Sequence, residues 1–207
     1  MGIYAQHIGP RIVRCLCCNP NIAQERGKVV PRARGTVLEI GIGPGLNLPY
    51  YDSSHVERVI GVDPSEDFVR LGKDNLASSA VPVTLIQAPA ERIPLDDASA
   101  DTAVITYTLC SVHDPAQALR EVRRVLRPGG SVLFLEHGLS GDAAVARWQK
   151  RLNPIWRPLA VGCNLTRPVA KLLESAGFRI EQLEEFYLPA TPRPVGFHSR
   201  GTAKRIH

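Results

Sequence analysis

Nine residues, Val37-Leu38-Glu39-Ile40-Gly41-Ile42-Gly43-Pro44-Gly45, constrain this chain more than any other stretch. A short apolar run of strand character opens into glycines at 41, 43 and 45, which let the backbone turn tightly and approach a ligand where a Cβ would collide. A second apolar run, Val59-Ile60-Gly61-Val62, ends on Asp63, 18 residues after Gly45. That is about where an adjacent parallel strand places a carboxylate to accept hydrogen bonds from both hydroxyls of a ribose. The two stretches together predict a parallel α/β sheet with a nucleoside held across its strand ends.

The turn departs from a dinucleotide loop in a way that narrows the ligand. Its third glycine comes early, and Pro44 removes a backbone N–H that a phosphate would use, at little cost beside a ligand without phosphates. The pattern E-x-G-x-G-x-G over Glu39 to Gly45, with the acidic Asp63 beyond it, resembles the class I S-adenosylmethionine (SAM) dependent methyltransferases. The resemblance implies SAM as methyl donor, S-adenosyl-L-homocysteine as product, and Gly41, Gly43, Gly45, Asp63 and the adjoining Pro64 as cofactor contacts. Glu39 is expected either to anchor the loop or to reach the amino-acid moiety of SAM through water.

Beyond the loop, β-branched runs alternate with amphipathic segments, the pattern of a doubly wound sheet. Strands are expected at Thr36–Ile40, Val59–Asp63, Val83–Gln87, Thr102–Thr106 and Ser131–His137, and helices near Glu66–Ser78, Ala116–Val125 and Pro168–Ala176. Leu119, Val122, Val125 and Leu126 share a helical face, and Arg127-Pro128-Gly129-Gly130 is expected to stop that helix before the next strand. Ile180–Tyr187 and Val195–Lys204 complete the set as a reversed terminal hairpin. The expected fold is a Rossmann-like, mostly parallel seven-stranded sheet with a reversed C-terminal strand. One domain is expected over 35–207, preceded by a helical cap or lid over 1–34, where Ile3, Tyr4, Ile8, Ile12, Val13 and Leu16 fall at roughly helical spacing.

Composition bounds the function. The 207 residues suffice for one domain, and 44% hydrophobic with 22% charged residues is ordinary for a globular chain. No run of about 18 apolar residues suggests a transmembrane helix, and Met1 to Pro10 does not read as an export signal, so a cytoplasmic protein is expected, with peripheral membrane contact a lesser possibility. The net charge of +5 is spread along the chain without an aromatic-basic platform, which argues against nucleic acid as partner. Five cysteines, at 15, 17, 18, 110 and 163, show no zinc spacing, and no metal is expected. A small-molecule acceptor and a monomer or homodimer complete the expectation.

Candidate chemistry lies where strands end. Gln87-Ala88-Pro89-Ala90-Glu91 falls where related methyltransferases carry G-D-A-E; Pro89 takes the acidic slot, so adenine is expected to meet backbone at Ala90 and Glu91 or simple packing. Thr106 to His113 follows the fourth expected strand, placing Tyr107 and Cys110 against cofactor or acceptor. His113 is either an acid-base group or part of the cap of the next helix. His137 ends the fifth strand and is the preferred base, a hydrogen-bonded supporting role being its rival.

A narrower resemblance extends over about residues 36 to 204. Thr108-Leu109-Cys110-Ser111-Val112, Leu119-Arg120-Glu121-Val122, the LRPGG run ending at Gly130, Glu136-His137, Asn153-Pro154-Ile155-Trp156 and Gly162-Cys163-Asn164-Leu165-Thr166-Arg167 look like the branch that includes mammalian microsomal alkyl-thiol methyltransferases. It implies methyl transfer to the sulfur of a small lipophilic or xenobiotic thiol, as detoxification or self-protection. Trp156, Cys163 and Asn164, within the 148–167 insert, are then expected to wall the acceptor, with helix packing as the alternative. A phospholipid amine or a quinone-like carbon or oxygen is the competing acceptor, and a non-catalytic SAM-binding partner or sensor the competing class.

Overall fold

The structure is a computed structural model that describes residues 19–160 and 162–206, the side chains of 68 and 69 excepted. The strands are β1 (Gly35–Ile40), β2 (Val56–Val62), β3 (Val83–Ile86), β4 (Ala100–Thr106), β5 (Leu126–His137), β6 (Phe178–Tyr187) and β7 (Phe197–Arg205). They form one sheet in the order β3-β2-β1-β4-β5-β7-β6. All neighbours pair in parallel except β7, which runs antiparallel to both β5 and β6. The seven strands and the reversed C-terminal one match the sequence expectation.

Alternation along the central strands sorts side chains into two cores, because successive residues face opposite sides of a sheet buried on both. Leu38, Ile40, Ala103, Ile105, Val132 and Phe134 pack on one side. Val37, Val104, Leu133 and Leu135 pack on the other. The first face is covered by α4 (Pro115–Val125) and α6 (Val169–Ser175), which contribute Leu119, Val122 and Leu173. The second meets Val29 of α1 (Pro20–Val29), with Val30, Ala33 and the loop residues Leu48 and Tyr51.

Two expected elements take a different form. The single helix foreseen over 66–78 is two, α2 (Glu66–Leu71) and α3 (Lys73–Ala77). The break falls at Gly72, where an added Cβ would lie 2.6 Å from the backbone of Pro44; the helix parts to admit the glycine-rich loop. Asn75 Nδ2 then donates to the Pro44 carbonyl at 2.9 Å, tying α3 to that loop. The LRPGG run does end α4, but as the start of β5: Ala100 pairs with Leu126 and Thr102 with Ser131, so residues between them bulge from the ladder, with Gly129 at φ +75°.

The insert ahead of the terminal hairpin is dominated by α5 (Ala143–Leu159), capped by Asp142, whose carboxylate accepts from the amides of Ala144 and Val145. It contains Pro154 and Pro158. Short α7 (Arg193–Gly196) precedes β7. Of the expected cap, residues 1 to 18, including Cys15, Cys17 and Cys18, lie outside the described residues. The remainder supplies α1, in which Glu25 and Arg26 are buried.

Candidate active site

β1 and β4 are neighbours while their onward connections run to opposite sides, so the crevice at their carboxyl ends is the topological switch point where open α/β sheets bind ligands. The glycine turn after β1 and the turn after β4 face each other across it. Gly41 has φ +69°, and a Cβ there would lie 2.3 Å from Thr108 Oγ1, which itself donates to the Ile40 carbonyl at 2.8 Å. Gly43, at φ +51°, is different: the nearest atoms to an added Cβ are 3.8 and 3.9 Å away, leaving its surface open to an incoming ligand.

Asp63 stands immediately beyond β2, 7% exposed. Its Oδ2 accepts from the Gly43 amide at 3.0 Å and its Oδ1 from the Ser65 amide at 2.8 Å. Burial raises its pKa, and the two amides oppose that rise. The carboxylate is thereby aimed and locked beside the open face of Gly43. A cleft of about 430 Å³ runs on from Asp63 past Ile86 and Gln87 toward Glu66 and Arg70. An open glycine surface beside a fixed carboxylate with spare lone pairs suits a ribose and its neighbouring chain, so the residues present fit SAM.

Glu39 is met by donors of the protein itself. It is 1% exposed and both oxygens are engaged: Oε1 accepts from Asn47 Nδ2 at 2.9 Å and Oε2 from the Tyr51 hydroxyl at 2.7 Å. Asn47 also donates to Thr106 Oγ1 at 3.0 Å, and Arg26 Nη1 donates to Asn47 Oδ1 and Thr106 Oγ1. Burial pushes Glu39 up to about 7, against the pull of these donors and of Arg26. This network clamps α1, the glycine loop and the end of β4 together from beneath. Sequence reasoning gave no role to Arg26, Asn47 or Tyr51, and named Thr106 only as the first residue of the stretch after the fourth strand; Asn47, two residues past Gly45, stood close enough to the motif to have been flagged.

The expected adenine-side residues are partly committed elsewhere. Ala90 is buried, while Glu91 Oε1 accepts from the Asp114 amide at 2.9 Å and its carbonyl from Gln117 Nε2 at 3.3 Å. Pro64 is exposed and offers its carbonyl to Gln87 at 3.5 Å. His113 is exposed as well, and the cap of α4 is Asp114, which accepts from the Gln117 amide at 3.0 Å.

The carboxyl ends of β4 and β5 and the amino end of the antiparallel β7 hold a second cluster. Tyr107 adopts φ +55°, uncommon for a bulky residue and characteristic of strain at functional turns. Glu136, fully buried, fixes the turn that follows: Oε1 accepts from the amides of Thr108 and Leu109 at 2.7 and 2.9 Å, Oε2 from Cys110 at 3.2 Å. Burial raises its pKa to about 7 despite these bonds. Arg167 donates to the carbonyls of Leu109 and Val112, and the Asn164 amide to that of Cys110 at 2.8 Å. The G-C-N-L-T-R loop is thus laced to the turn after β4.

Within this frame His137 Nδ1 lies 3.5 Å from Cys163 Sγ. Hydrogen bonding from Cys110 lowers the Cys163 pKa well below the ordinary value; burial opposes this, and His137 and Trp156 reinforce it. Cys110 is correspondingly held as the thiol, by its bond to Cys163 and by burial. The Trp156 indole N–H and His137 Nε2 are both buried without a hydrogen bond of good geometry among the described residues. Asn164, expected on the acceptor wall, accepts at its side-chain oxygen from the amide and hydroxyl of Thr166, at 2.9 and 2.8 Å. His198, absent from the sequence expectations, pairs with His137 in the β5–β7 register, and their rings are 5.2 Å apart. Desolvation, then the proximity of His137, lowers His198 to about 4, so it is neutral near pH 7. Its signal in the sequence was the hairpin register, which composition alone does not fix.

Comparison with known proteins agrees with this geometry. Residues 38–134 match the family model for a methyltransferase domain. Human thiol S-methyltransferase TMT1B is 36% identical over 185 residues, covering 87% of this chain and 75% of the relative. Human thiol S-methyltransferase TMT1A is 34% identical over 178 residues, covering 84% and 72%. Among solved structures, YcgJ of Bacillus subtilis superposes with a TM-score of 0.70 at 18% identity over 90% of this chain and 98% of that one, a likeness of fold. With an aligned stretch this long at this identity, a matching domain model and the expected sheet, the chain belongs to the class I SAM-dependent methyltransferases, in the branch of TMT1A and TMT1B, and is an enzyme that uses SAM as its methyl donor.

Proposed function

We propose that the acceptor is the sulfur of a small lipophilic thiol, and that His137 receives the thiol proton. The observation that carries this reading is the buried His137–Cys163 pair, with His137 Nε2 unpartnered among the described residues. When bound, SAM supplies a methyl group on a positively charged sulfur. The protein's own task is to align the acceptor and take up its proton, and proximity provides most of the rest. A Cys163 thiolate facing Nδ1 favours the tautomer with its proton on Nδ1, which leaves the lone pair on Nε2. Nε2 then accepts the proton of the incoming S–H, and Cys163 offsets the charge that appears on the ring. This is the logic of a carboxylate behind a catalytic histidine, with a thiolate in its place.

Sulfur is a natural acceptor for so lightly equipped a site. A thiol with an ordinary pKa of about 8.5 needs only modest help to ionise, unlike an alcohol. The similarity to proteins named thiol S-methyltransferases supports the same acceptor class. In this reading Asp63 and Gly43 hold the cofactor, Trp156 and Cys110 line the acceptor side, and Arg26 ties α1 to the glycine loop and the end of β4. Detoxification of reactive thiols is the role that fits. The test is His137→Asn measured with an alkanethiol: turnover should fall about 100-fold or more while SAM affinity by calorimetry stays unchanged. Equal turnover in the variant would remove His137 from the mechanism.

A further inference from the structure

The outer face of α5 has no role in the chemistry above. Trp148, Leu152, Ile155 and Leu159 recur at i, i+4, i+7 and i+11, which puts them within an arc of roughly 60°. They are 54, 36, 66 and 55% exposed, the densest run of large apolar side chains open to solvent among the described residues. The flank of the helix beside the stripe is pinned to the fold: Val145 and Gln149 are buried, and Gln149 bonds the Ser140 amide and the Gly138 carbonyl, both at 2.9 Å. The apolar stripe is therefore held outward by a rigid support. Arg147 and Arg151 border it, the Arg151 guanidinium lying 5.7 Å over the Trp148 ring, and Lys150 and Arg157 are exposed further round. The helix contains four cations and no acidic residue.

We infer that this face docks on an anionic lipid surface. Charge selects that occupant. A second copy laid face to face would oppose four cations with four, and residues 1 to 18 carry Arg11 and Arg14 without a single Asp or Glu, so both bring charge of the same sign. Anionic headgroups bring the opposite sign, and an indole with three aliphatic side chains bordered by arginines is the composition that sinks into the headgroup boundary. The same helix turns Trp156 toward Cys163, and Gln149 grips the strand extension that carries His137. Docking would set the acceptor side of the crevice next to the bilayer, where lipophilic molecules concentrate. The inference rests on the helix face and not on the identity of the acceptor.

The full chain should be sedimented with vesicles of pure phosphatidylcholine and of phosphatidylcholine mixed with phosphatidylserine, alongside analytical ultracentrifugation without lipid. Binding is expected for the anionic vesicles only, weakening as salt rises. Ile155→Glu with Leu159→Glu should reduce it at least roughly tenfold. Arg147→Gln with Arg151→Gln, which leaves the apolar stripe intact, should cost roughly fivefold for each cation removed. Both pairs are exposed, so thermal midpoints and SAM affinity should be unchanged. Three results would overturn the inference: no binding to anionic vesicles, binding that neither pair of substitutions weakens, or a dimer in the absence of lipid that the Ile155 and Leu159 substitutions dissociate.

Discussion

The two sides of the crevice are built by opposite means. On the cofactor side, backbone does most of the positioning: positive-φ glycines, the Gly43 amide and one carboxylate, Asp63, arranged within a single stretch from β1 to the end of β2. On the acceptor side, side chains from β4, β5, the loop after α5 and β7 converge and do the positioning: Glu136 grips the amides of the turn after β4, Arg167 grips its carbonyls, and Cys163 stands beside His137. A backbone site tolerates few substitutions, because its positive-φ glycines and tight turn leave little room for a Cβ. A side-chain site can be rebuilt without disturbing the sheet, which is how one scaffold comes to accept many methyl acceptors.

The largest effect should separate the sides cleanly. His137→Ala is expected to lower kcat for a thiol about 100- to 1,000-fold with SAM affinity unchanged, as read by steady-state kinetics and calorimetry. A matching loss of SAM affinity would show that the two sides are one energetic unit.

Burial of Glu39 yields the next. Its ordinary pKa of 4.5 rises to about 7 on folding, so the folded protein retains a proton that the unfolded chain has lost between those values. The favourable contribution is complete below about pH 4.5 and disappears as pH climbs through 7. Urea unfolding of Glu39→Gln should lack that loss, so its stability relative to the parent should rise by about 3 kcal/mol between pH 4.5 and 7.5. Parallel pH dependences would mean that Glu39 ionises in the fold as it does in water.

Asp63→Ala should weaken SAM binding by about 1 to 3 kcal/mol, and leave the affinity of a thiol measured at saturating SAM within twofold or so. Calorimetry with SAM and with S-adenosylhomocysteine distinguishes this from a collapse of the loop, which would also lower the thermal midpoint.

The smallest concerns Cys163→Ser. Hydrogen bonding from Cys110 holds the Cys163 pKa well below the ordinary thiol value, and protonation should remove the negative partner of His137 Nδ1. The parent enzyme should lose activity as pH falls through that transition; the serine variant should lack that step and turn over about fivefold more slowly at neutral pH. An unaltered pH–rate profile would detach Cys163 from the reaction.

The same contrast explains what the sequence revealed. Glu39 to Gly45 and Asp63 were legible because a backbone turn writes its requirements locally, as glycines at fixed spacing. The seven strands were legible because burial on both faces produces apolar runs of strand length. The break at Gly72 was not, since it comes from contact with Pro44, a residue 28 positions earlier. His198 and Arg26 were not, because each reaches the site through long-range pairing, β7 against β5 and α1 against the end of β4. His137, Cys110 and Cys163 were named, by strand-end position or by family resemblance, but their union in one cluster depends on a loop that no local pattern encodes.

The most direct test offers the purified enzyme SAM with an alkanethiol, the corresponding amine and alcohol, and phosphatidylethanolamine vesicles, and follows methylated product and S-adenosylhomocysteine by mass spectrometry. A methyl thioether formed at least about tenfold faster than any other product, and suppressed by His137→Asn, is the expected result. Methylation of the amine or the phospholipid at a comparable or greater rate would contradict the assignment of sulfur as the acceptor.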